Sequence, residues 1–126
     1  MLPRTQRTLS LWLPVVLWAA VIFALSSVPS LNSGLGTWDL ILRKLAHIGE
    51  YALLAALLYR ALWRPWPAFL GAVAYAASDE FHQHFVRGRA GTPRDFAIDT
   101  FGALIGLIAF SCVQRLIRKT PSPEAD

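Results

Sequence analysis

The chain has 126 residues, of which 55% are hydrophobic and only 16% charged. A soluble domain of that length has too much surface to hide so much apolar side chain, and the composition also excludes a disordered tail, a fibrous repeat and, with one cysteine, a disulfide scaffold. The net charge of +4 raises nucleic acid as a partner, but the basic residues gather at the ends of apolar runs, so an integral membrane protein with no nucleic-acid partner is expected.

The first apolar run covers residues 9–28, twenty positions without a charge, the length a helix needs to cross a hydrocarbon core about 30 Å thick. Pro14 lies inside it, where a membrane helix tolerates the kink. A cleaved signal peptide is the rival reading, since Arg4 and Arg7 precede the run and small residues follow its centre. The run is long for that purpose, which favours an anchor. A loop without Lys or Arg follows. The second span, about 39–62, carries Arg43, Lys44, His47 and Glu50 in its first half and only apolar residues in its centre. The third, about 65–85, opens after an Arg-Pro-Trp-Pro run and reverses that order, ending in Asp79, Glu80, His82, Gln83 and His84. The fourth, about 92–114, starts with Thr92 as N-cap, Pro93 at the first helical position and Asp95 three residues after the cap. Its basic end is Arg115, Arg118 and Lys119, and residues 120–126 form a polar tail.

The fold class expected is therefore all-α, a bundle of four transmembrane helices. Arg4 and Arg7, Arg60 and Arg64, and the Arg115 to Lys119 group fall on one side if all four runs span. Basic loops face the cytoplasm, so residues 1–8 and 120–126 are both expected there, in the inner membrane of a bacterium. Trp12, Trp38, Trp63 and Trp66 lie near span ends, at headgroup level, whereas Trp18 lies deeper as a packing residue.

With that topology the polar halves of spans two to four meet at the outer end, as the lining of an outward-facing pocket. At about 1.5 Å per residue, Lys44 lies some 8 Å below Asp39 and Glu50 some 16 Å, a depth at which ionisable groups face protein or trapped water. Lys44, His47 and Tyr51 share one helical stripe, as do Asp79 and Gln83, Glu80 and His84, and Asp95 and Asp99. The expected lining is Lys44, His47, Glu50, Asp79, Glu80, Gln83, Arg87, Arg89 and Asp99. Arg87, Arg89 and Arg94 on the outer side run against the positive-inside tendency, which points to pairing with acids or to an anionic ligand. Five bases, with Arg43 and Lys44, face five acids there, so self-satisfied ion pairs are the competing structural reading.

Taken in order, Lys44-x-x-His47-x-x-Glu50-Tyr51, Asp79-Glu80-x-x-Gln83-x-Phe85-x-Arg87-Gly88-Arg89 and Asp95-x-x-x-Asp99-x-x-Gly102-x-x-x-Gly106 resemble the VanZ-like membrane proteins. The likeness runs from the first span to the end of the fourth and makes 9–119 one VanZ-like domain. It departs at Asp99, where Asn is common, and at Val86, where Pro often precedes the turn. The resemblance implies a cell-envelope role, with VanZ itself linked to low-level teicoplanin resistance, and implies no particular reaction.

For chemistry, His47 with Glu50 or Asp99 would make an oriented acid/base pair, and Arg87 and Arg89 would clamp a phosphate. No Ser or Cys falls in the cluster, so a membrane-embedded hydrolase or transferase acting on a lipid-linked phosphate would need His47, an acid or activated water as nucleophile. His47, Glu50, Asp79, Glu80, His82 and Asp99 are metal-ligand types, but their spacing matches no helix metal signature, and neither a metal nor another cofactor is expected. Binding without chemistry asks less of these residues. The expected partners are membrane lipids, a lipid-linked wall precursor or a glycopeptide. His82 and His84 are read as solvated at the water boundary, and Gly102 and Gly106 as close-packing sites within the bundle.

Overall fold

A computed structural model of the chain describes residues 3–29 and 34–119. Four helices account for nearly all of them: α1 (Arg4–Ser26), α2 (Thr37–Leu62), α3 (Pro65–Gln83) and α4 (Pro93–Lys119). They run alternately up and down, so α1 and α3 start at the end of the bundle where α2 and α4 finish. The tail after Lys119, and with it the 120–126 segment, lies outside the described residues.

The helix boundaries follow from local chemistry. Pro14 has no N–H to give the carbonyl of Ser10 four residues back, and Arg60 of α2 donates to that freed carbonyl instead, Nη1 to O, at 3.4 Å. α2 ends where Trp63 turns left-handed, at φ 55°, with its N–H on the Tyr59 carbonyl at 2.7 Å. Arg64 is then extended, as a residue before proline must be, and Pro65 opens α3. α4 starts as expected: Thr92 Oγ1 accepts the Asp95 N–H at 3.2 Å and donates to Asp95 Oδ2 at 2.7 Å.

The interior is built from small residues. Ala68, Ala72 and Ala76 on α3 and Gly102, Ala103 and Gly106 on α4 are buried, beside Tyr51, Leu54 and Ala55 of α2. α2 and α4 pack in parallel, and a Cβ placed on Gly102 would lie 2.6 Å from the Ile48 carbonyl oxygen. At Gly106 it would overlap the Ala52 carbonyl outright. These two glycines therefore serve contact inside the bundle. Large apolar side chains point the other way, with Leu17 58%, Phe101 56% and Leu116 66% exposed. Small inside and large outside is the arrangement of helices packed in lipid, the reverse of a soluble core.

α1 and α4 are long and apolar enough to cross a membrane. α2 and α3 are of spanning length, but their apolar runs are interrupted by the charged and polar residues that build the site.

Candidate functional site

Three buried carboxylates lie at the end of the bundle where α1 and α3 finish and α2 and α4 begin. Asp79, on the buried stripe of α3, is 4% exposed. Its Oδ2 accepts from Ser26 Oγ at 2.8 Å, Tyr51 OH at 3.2 Å and Gln83 Nε2 at 3.2 Å, so one oxygen joins α1, α2 and α3. Asp99, fully buried on α4, faces His47 of α2, with Nδ1 and Oδ1 2.9 Å apart. A carboxylate oxygen accepts, which puts the imidazole proton on Nδ1 and leaves Nε2 as the nitrogen available to a ligand. Glu80 turns away toward the loop before α4. The Thr92 backbone N–H approaches it without reaching hydrogen-bond geometry, and a Cβ on Gly91 would sit 2.9 Å from its Oε2.

Above these acids are charged pairs. Lys44 Nζ is 3.3 Å from Asp95 Oδ1, so Asp95 is at once a helix cap and an ion-pair partner. Arg43 pairs with Asp39 one turn back at 2.9 Å. Arg89 reaches across from the α3–α4 turn and donates Nε to the Val28 carbonyl at 3.0 Å and Nη2 to the Leu25 carbonyl at 3.2 Å. The Leu25 carbonyl, in the last turn of α1, also accepts the Val28 N–H at 3.3 Å, and Val28 lies just past the helix; a cation there meets the negative end of the helix dipole. Gly88, at φ 75°, makes the turn that brings Arg89 back over the bundle.

Two adjoining recesses open at this end. One, of about 330 Å³, is lined by the polar side chains of Arg43, His47, Glu50 and Arg89 and by the apolar Leu25 and Val28. The other, of about 180 Å³, has Lys44, Gln83 and Asp95, and shares Arg43, His47 and Arg89 with the first. His47 thus stands between them.

The expected lining is redistributed. Lys44, His47, Glu50, Gln83 and Arg89 border the recesses. Asp79 and Asp99 lie beneath, holding Ser26, Tyr51 and His47 in place, and Glu80 faces the Gly91 turn. Arg87 is exposed and borders neither recess, because the turn at Gly88 directs its neighbour Arg89 inward. A pocket made by α2 to α4 alone is corrected too: the end of α1, through Leu25 and Ser26, and Val28 just after it also line the larger recess. Ser26 also corrects the expectation that no serine lies in the cluster. Nothing around Ser26 in the sequence marks it, because it looks like the polar end of an apolar run. His82 is not a solvated side chain but stacks on Phe23 of α1, ring centroids 4.5 Å apart, whereas His84 is exposed and held by the Glu80 carbonyl. Among the described residues no three His, Cys, Asp or Glu side chains converge as a metal site would require.

A small all-helical protein with small residues inside, apolar residues outside and adjoining polar recesses over buried acids is the class that fold and site define together. The chain belongs to the VanZ/LLP1 family, whose pattern it matches over residues 4–115. No curated protein and no solved structure matches it.

Proposed function

We propose that this is an integral protein of the bacterial cell envelope that binds an anionic lipid head group, free or on a wall precursor, in the recess around His47 and Arg89. In this reading all four helices cross the inner membrane, residues 1–8 and 120–126 are cytoplasmic, and the recess opens outward. The observation that carries it is the mixed lining of the larger recess, which combines Arg43, His47 and Arg89, with Glu50 among them, and the apolar side chains of Leu25 and Val28. Cationic donors beside an apolar flank suit a phosphate on a hydrocarbon chain. Membership of the family, together with the likeness to VanZ, supports an effect on teicoplanin susceptibility through that ligand.

Farnesyl pyrophosphate, a short isoprenoid phosphate, tests the site. A ligand of the native state at about one hundred times its Kd stabilises by about 2.7 kcal/mol, so thermal unfolding of the purified protein in neutral detergent should rise by several degrees. His47→Ala and Arg89→Gln should remove that rise. A rise retained in both variants would place binding elsewhere. In cells, expression should raise teicoplanin tolerance and His47→Ala should abolish the gain at equal protein abundance.

A second reading rests on the His47–Asp99 pair, since an oriented imidazole with a free Nε2 is equipped for general base work on water. It requires phosphate release from farnesyl pyrophosphate that His47→Ala and Asp99→Ala both eliminate. Absence of release by protein that binds the compound leaves binding as the function.

A further inference from the structure

At the opposite end of the bundle α3 and α4 frame an apolar groove of about 530 Å³, bordered by Trp66, Phe69, Leu104, Ile108 and Cys112. Ser111 and Arg115 form its rim and are shared with a smaller, more polar recess of about 200 Å³ that contains Gln114 and Arg118 beside Trp63. Both arginines are exposed, and neither forms an ion pair with a described residue. From Leu104 to Arg115 α4 rises about 16 Å, roughly half the hydrocarbon thickness of a bilayer and so the depth of one leaflet.

We infer that this end holds a second lipid site, specific for an anionic phospholipid, with an acyl chain in the α3/α4 groove and its phosphate at Arg115 and Arg118. Charge complementarity chooses the occupant. A zwitterionic lipid fills the groove equally well but brings its own cation to the two guanidiniums, whereas an anionic head group supplies a countercharge that no described residue provides. Trp63 and Trp66 flank the position where that head group would meet water, the depth indole rings favour. The inference rests on the bundle being embedded in a membrane but not on the recess around His47.

Cys112, exposed in the groove and the single cysteine of the chain, reports on this site alone. The purified full chain in neutral detergent is alkylated with N-ethylmaleimide while dioleoyl phosphatidylglycerol or dioleoyl phosphatidylcholine is titrated in. At about ten times its Kd a lipid that covers the thiol should slow the reaction about tenfold. Phosphatidylglycerol is expected to do so at concentrations where phosphatidylcholine does not, and Arg115→Gln combined with Arg118→Gln should erase the difference. Equal slowing by both lipids, no slowing by either, or protection by phosphatidylglycerol that survives the double substitution would each overturn the inference. His47→Ala should leave the protection unchanged, so loss of the outer site and loss of this one are read separately. Recovery of the chain from the soluble fraction of cells would remove both.

Discussion

Asp79 gathers hydroxyl and amide donors from three helices onto one buried oxygen. A hydrogen bond to a charged group contributes about 1.5–3 kcal/mol, so Ser26→Ala or Tyr51→Phe should each lower unfolding free energy within that range. Asp79→Ala should cost more than either, since it strands all three buried donors. The double variant Ser26→Ala with Tyr51→Phe should fall short of or exceed the sum, because residues sharing one partner do not add. Thermal and chemical unfolding in detergent measure all four, and strict additivity would show that the shared oxygen does not couple them. His47 and Asp99 were legible in the sequence as polar residues at shared depth. The sequence left Glu50 and Asp99 as alternative partners of His47, because a helical stripe says which residues share a face and not which face of a second helix it meets; the structure pairs His47 with Asp99.

At the scale of elements, the parallel contact of α2 and α4 depends on Gly102 and Gly106 lying against the backbone of Ile48 and Ala52. Overpacking by one methyl typically costs about 1–3 kcal/mol, and backbone cannot swing aside as a side chain can. Gly106→Ala should therefore reduce the melting temperature, more than Ala substitution at Gly49, where a Cβ would meet nothing within 4 Å. Equal effects at the two glycines would mean that the helices do not approach as closely as described. The same contact sets the site, since it fixes His47 opposite Asp99 and Lys44 opposite Asp95. α1 matters in the same way. It supplies Ser26 to Asp79, donates the Trp18 Nε1–H to the Glu50 carbonyl at 2.9 Å, and offers the Leu25 carbonyl to Arg89, which also reaches the Val28 carbonyl just past the helix. The four helices and the cap at Thr92 were legible because run length, Pro position and the Thr-to-Asp spacing are local signals. The part played by α1 was hidden, since its apolar sequence is equally that of an anchor lying apart from the others.

For the whole molecule, the alternation of the helices places Arg4, Arg7, Arg60, Arg64, Arg115 and Arg118 at one end, and the recess at the other. If that end is cytoplasmic, a fluorescent protein that folds only in the cytoplasm should light up when fused at either terminus, and alkaline phosphatase, active only outside, should work when inserted after Ala90. Phosphatase activity at both termini would invert the molecule and turn the recess inward. Composition and the order of apolar and polar segments determined by themselves that the chain is all-helical and rich in lipid-compatible surface, because these properties are carried by short stretches read one at a time, while the resemblance to the VanZ-like proteins lay in the ordered set of motifs from Lys44 to Gly106. Only the tertiary structure decided that Arg89 and not Arg87 borders the recess, that Ser26 joins Asp79, and that an apolar groove ends at Arg115. Each of those depends on how far one helix is rotated and slid against another, and that offset is set by close packing between segments some fifty residues apart, which no local pattern encodes.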